Sequence, residues 1–148
     1  MFALHTRLEE DTQVIGDFSL CRLLLMNDAN YPWFILVPRR TGAREIYELE
    51  DHDQQQLLKE SSHLSQTLNQ TFHADKLNIA ALGNMVPQLH IHHIVRYLSD
   101  PAWPNPVWGM CPAQPYTERA RQETCSNLID HLVDFVPDSS CVVAPRVC

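Results

Sequence analysis

The chain has little positive charge, no paired cysteine motif and no long apolar run. With 11 Lys and Arg against 18 Asp and Glu, the formal net charge of its 148 residues is -7. That balance excludes a protein that coats nucleic acid, because such affinity comes mostly from basic residues neutralising many phosphates. A single small phosphate compound is not excluded, since backbone N-H groups, imidazoles or one arginine can hold it locally. The five cysteines, at 21, 111, 125, 141 and 148, form no C-x-x-C pair and leave one over if all others are joined, so reduced thiols of a cytosolic protein are expected. Glu9, Glu10, Asp11 and Asp17 interrupt the first twenty residues, and no later stretch reaches membrane-spanning length. The expected setting is cytoplasmic, with no membrane partner. Internal repeats and low-complexity stretches are also lacking, apart from a proline- and tryptophan-rich segment over residues 101–108.

What is present fits one compact domain over residues 1–148, with 137–148 as a C-terminal tail. Apolar residues fill 18–26 and 33–37, and Asn27-Asp28-Ala29-Asn30-Tyr31-Pro32 between them has turn chemistry, so two strands are predicted. Asp51 stands three residues before Gln54, as in a capping box, and Leu57, Leu64, Leu68 and Phe72 follow at helical spacing, predicting a helix over about 52–73. From Leu77 the period becomes two, and Gly83-Asn84 ends this third strand. Residues 89–97 read as a fourth strand, forming an antiparallel hairpin with the third. Cys125, Leu128, Ile129, Leu132 and Val136 mark a second helix that Pro137 stops. The predicted fold class is α+β: an antiparallel sheet meander flanked by two main helices.

The chemistry concentrates in Pro87-Gln88-Leu89-His90-Ile91-His92-His93-Ile94-Val95-Arg96. On a strand, Gln88, His90 and His92 share one face while His93 points the other way. A row of polar side chains inside an apolar strand calls for a ligand, ordered water or mutual hydrogen bonds, because burying such groups unpaired is costly. Histidine suits phosphoryl chemistry: neutral imidazole is nucleophilic near pH 7, and a second, protonated imidazole donates to the leaving or non-bridging oxygens. A main-chain carbonyl accepting from the nucleophile's Nδ1-H would aim its Nε2 at phosphorus. Gln88, Asn84 and His92 are the candidate donors to charge developing on the phosphate oxygens. No metal or other cofactor is required.

The segment resembles the signature of the histidine triad family of nucleotide hydrolases and transferases, His-φ-His-φ-His-φ-φ with φ apolar. The resemblance runs from Leu24 to Pro38, across the long helix, and from Leu77 to Arg96. It implies that His90 is the nucleophile of a covalent nucleotidyl-histidine intermediate formed at an α-phosphate, and that His92 takes the last triad position. It further implies that Asn84 is a phosphate-contacting amide, that Asn27 holds the ribose hydroxyls, and that two copies form a homodimer with their sheets joined edge to edge. Two positions depart from the pattern. Gln88 replaces the first histidine and keeps hydrogen-bonding capacity without a titratable proton; His93 replaces an apolar residue and is read as packed or solvated.

Other residues carry alternative readings. Arg39 and Arg40 reach a polyphosphate or are simply solvated, the second being favoured. Arg96 is set off the face of His90 and His92 and read as exposed or ion-pairing. Trp103 and Trp108 either stack on a base or pin the proline-rich excursion to the core. Against the preferred function, phosphoramidase or dinucleoside polyphosphate hydrolase in type, stand a nucleotide-binding or signalling module that has lost turnover through Gln88, and a metal-dependent enzyme liganded by His90 and His92. The metal reading lacks an aligned third ligand.

Overall fold

The structure, a computed structural model, describes residues 1–142. The chain opens with a short helix, α1 (Thr6–Asp11), then β1 (Thr12–Asp17), β2 (Cys21–Met26) and β3 (Trp33–Pro38). The long helix α2 (Asp51–Phe72) follows, then β4 (Lys76–Ala80), β5 (Ile91–Arg96), α3 (Glu118–Ile129) and a two-residue strand, β6 (Val136–Pro137). The six strands form one antiparallel sheet in the order β4-β5-β3-β2-β1-β6. This is the α+β class that the sequence predicts.

The sheet buries both faces. Leu57, Leu64 and Leu68 of α2 and Cys125 and Leu128 of α3 pack on Leu23, Phe34 and Val95. Against the other face lie Leu4 and Leu8 from the N-terminal segment and Ala102 and Val107 from the proline-rich one, packing on Ile35, Val37 and Ile94. Alternation along β5 therefore sends odd-numbered residues toward α2 and even-numbered ones toward the proline-rich segment.

β2, β3 and α2 stand within about a turn of their predicted places, and β4 and β5 do form the hairpin, with Ala80 opposite His92. The differences have physical causes. The first strand predicted over 18–26 begins only at Cys21, because Phe18 N-H bonds Cys21 O and closes a tight turn from β1. β1 itself was not predicted; its apolar content is confined to Val14 and Ile15, beside a bulge. Gly16 there is obligatory, since a Cβ would lie 2.3 Å from Val136 O of β6. The capping box expected at Asp51 is absent: Glu50 is the N-cap, and Gln54 Nε2 donates instead to Leu49 O. The second helix is capped by Thr117, whose side chain accepts from Ala120 N-H, and ends at Ile129 rather than at Pro137. Leu132 and Val136 keep a helical spacing but belong to the return into β6, with Asp134 at φ 53 reversing the chain. Of the tail expected over 137–148, Ser139–Cys141 form a docked turn with Cys141 in the core, and 143–148 lie outside the described residues.

Candidate active site

β5 is pinned between β3 and β4, so its side chains are fixed by backbone ladders on both sides. The expected row of three on this strand is not formed as such. Strand pairing starts at Ile91, and Leu89 N-H is drawn off to Ala43 O, so Gln88 and His90 precede the ladder. The Gln88 amide is anchored to the N-terminal segment, accepting from His5 N-H at 2.9 Å and donating to Ala3 O at 2.9 Å. Its main chain turns to the site instead: Gln88 O lies 2.7 Å from His90 Nδ1. A carbonyl only accepts, so the neutral ring of His90 carries its proton on Nδ1 and presents a lone pair at Nε2.

His90 and His92 are both buried, and their rings meet edge to face at 4.9 Å between centroids. Trp33 Nε1-H lies 3.0 Å from His92 Nδ1. Trp108 closes over the same imidazole at 5.2 Å and meets Trp33 at 5.6 Å, both edge to face. Burial, and then the neighbouring imidazoles of His90 and His93, push the His92 pKa down to about 3. The protonated second imidazole expected from the sequence is therefore replaced by a neutral one at physiological pH. Neither Nε2 of this pair has a hydrogen-bond partner among the described residues.

A cavity of about 340 Å³ adjoins Trp33 and Trp108 and is lined also by Met26, Asn27, Asp28 and Val107. Its size is at the low end for small-molecule sites. Asn27, just beyond β2, accepts from Tyr116 N-H through Oδ1 and keeps its Nδ2 for other partners. Asn84 is exposed, after Gly83 at φ 71, and is not among the cavity's lining residues.

The remaining candidates sort clearly. His93 faces α2, donating from Nδ1 to Ile91 O at 3.1 Å and accepting at Nε2 from the Ser61 hydroxyl at 2.7 Å. Arg39 caps the carbonyls of Phe18, Ser19 and Leu20, and Arg40 pairs with Asp53. Arg96, placed by the sequence off the histidine face, lies on the same face as His92, as its even number requires; it is 1% exposed and pairs with Asp100 at 2.7 Å. Its guanidinium stacks on Tyr31 and Trp103. Each tryptophan thus answers to one reading: Trp103 pins the excursion, and Trp108 walls the site. Trp33 was missed, since its role depends on β3 pairing with β5 across 59 residues, which no local pattern signals.

The HIT domain family model matches residues 7–98, which hold β1 to β5 and the histidine segment. The chain belongs to the histidine triad family. Membership places it in a superfamily of nucleotide-binding hydrolases and transferases. Among solved structures, a histidine triad protein of Marinobacter aquaeolei is 55% identical, with TM-score 0.85, over 89% of this chain and 99% of that one. Histidine triad proteins of Bradyrhizobium japonicum (48% identity, TM-score 0.87, 88% and 97% covered) and Sinorhizobium meliloti (42%, 0.87, 89% and 98%) are similar over the same extent. No match was found among curated proteins. Among the described residues, no helix of this family member is long and apolar enough to cross a membrane, and no three His, Cys, Asp or Glu side chains gather as a metal-binding group.

Proposed function

We propose that the chain hydrolyses or transfers nucleotidyl groups through a covalent adduct on His90. The observation that carries this reading is the 2.7 Å contact between Gln88 O and His90 Nδ1, which leaves the Nε2 lone pair free on a rigid strand end. In the first step Nε2 bonds the α-phosphorus, and the bond from phosphorus to the leaving group breaks with its electron pair on that group. In the second, a water oxygen bonds the phosphorus, the P-N bond returns its pair to Nε2, and the water's proton passes to solvent. His92 Nε2 stands beside His90 to meet charge on the phosphate oxygens. The cavity beside Trp108 takes the nucleoside, with Asn27 at the ribose; Asn84 and the second N-H of the Gln88 amide complete the phosphate contacts.

The active unit is proposed to be a homodimer. Among the described residues β4 is paired on one side only, and Ile79, Leu82, Met85 and Leu98 are exposed on and around this hairpin, an edge that a second copy would cover. Light scattering that finds only monomer over a wide concentration range would contradict this.

One observation favours a second reading, a nucleotide-binding module with little turnover: Gln88 brings no titratable proton and is tied to the N-terminal segment. Assays of dinucleoside polyphosphates and nucleoside phosphoramidates, run beside nucleoside monophosphate binding, separate the two. The enzyme reading expects turnover that His90→Asn abolishes while binding persists. Binding without turnover of any substrate would support the module instead.

A further inference from the structure

The two imidazoles of the site are held in opposite protonation patterns. An indole N-H only donates, so the Trp33 contact at 3.0 Å exists only while His92 Nδ1 carries a lone pair. The His92 proton is then on Nε2. Protonating the ring would set N-H against N-H inside a pocket walled by Trp33 and Trp108. His90 and His93 flank it on its own segment, Trp33 and Trp108 carry no charge, and the carboxylates of Glu10, Asp11 and Asp28 line the adjoining cavity, which His92 itself does not line. Gln88, at the first triad position, cannot carry a proton to a leaving group either.

We infer that Trp33 is a positioning residue that fixes His92 as an uncharged Nε2-H donor, and that the site therefore takes nucleotides whose α-phosphate is joined by an anhydride to an oxyanion, in preference to phosphoramidates. This rests on the nucleotidyl-transfer reading above. A phosphate, nucleotide, sulfate or carboxylate leaves with the P-O electron pair as a stable anion and needs no acid. An amine must gain a proton as the P-N bond breaks, and neither group beside His90 supplies one. One further imidazole is tied to this segment, that of His5, whose backbone N-H bonds Gln88 and whose Nδ1 accepts from Arg7 N-H at the start of α1.

Nitrogen-15 NMR of histidine-labelled wild type between pH 6 and 8 tests the first half. His92 is expected as the Nε2-H tautomer throughout, and Trp33→Phe should bring tautomer mixing and a titration closer to neutrality. Rates on diadenosine polyphosphate and on adenosine 5'-phosphoramidates of alkylamines test the second. The wild type should favour the anhydride by roughly a hundredfold or more in kcat/KM, the range a missing general acid costs. Equal turnover of the amine substrate at neutral pH, whether or not His5→Ala removes it, would overturn the inference. So would a doubly protonated His92 in the wild type, even with fast anhydride turnover. No turnover of either class beside the expected His92 spectrum would overturn the nucleotidyl-transfer reading.

Discussion

The two faces of β5 bury histidine in different ways. Toward α2, His93 is bonded at both ring nitrogens, to Ile91 O and to Ser61, and is fully buried. On the opposite side, His90 and His92 are bonded among the described residues only at Nδ1, by Gln88 O and by Trp33, and stand ring to ring, with His92 against two tryptophans, Trp33 and Trp108, that line a cavity. Residue type, strand and burial are almost the same. What separates the two sides is whether Nε2 has a protein partner, and the proposed role of His90 rests on that difference.

The strongest way to break this contrast is at His90. His90→Asn roughly preserves an Nδ1-like donor to Gln88 O but removes the Nε2 lone pair, so turnover should fall by about 10⁴-fold or more while nucleoside monophosphate binding, followed by calorimetry, is retained. His92→Asn should cost less, on the order of a hundred- to thousandfold in kcat, as expected for one donor to developing charge. If steady-state kinetics gave the reverse order, the roles assigned to the two rings would have to be exchanged.

On the other face the effect should fall on stability. His93→Phe leaves the Ser61 hydroxyl and Ile91 O without their ring partner, at about 1–3 kcal/mol for each buried group left unsatisfied, with kcat unchanged. Denaturant titration beside a turnover assay checks both halves. The same variant should flatten the acid limb of stability. Burial holds the His93 pKa down to about 4, against 6.5 for an open chain, so between these values the unfolded chain binds a proton that the folded one does not. Stability from His93 is thus complete above pH 6.5 and lost as pH falls toward 4, by on the order of 3 kcal/mol. A wild-type stability that stayed flat over that window would contradict the buried neutral state.

The smallest effect is expected at Trp108, which is 38% exposed and meets Trp33 and His92 in edge-to-face contacts. Trp108→Leu should weaken nucleotide binding by roughly 0.5–1.5 kcal/mol, the worth of an aromatic contact, and raise KM more than it lowers kcat.

Much of this was legible in the sequence where one local period governs. The leucines of α2 and the alternation from Leu77 placed the long helix and the β4-β5 hairpin, and histidines two apart marked the site. The misreadings arose where distant pairing overrides the local pattern. β1 is defined by its ladders to β2 and β6 rather than by composition, and Val136 continues the spacing of α3 while pairing with Asp17. In the same way, the donor to His92 comes from β3, and the charge on that ring is set by its packing against Trp33 and Trp108. Arg96 misled for a different reason: its parity already put it with His92, and only its burial against Asp100 and Trp103 needed the structure.

The central claim is that His90 Nε2 bonds phosphorus. Rapid acid-free quenching of wild type mixed with diadenosine polyphosphate, followed by peptide mass mapping, tests it most directly. A nucleotidyl mass on the peptide containing residues 88–96, localised to His90 by fragmentation and absent from His90→Asn, is the predicted result. Turnover with the adduct on His92 or His93, or undiminished turnover in His90→Asn, would contradict it.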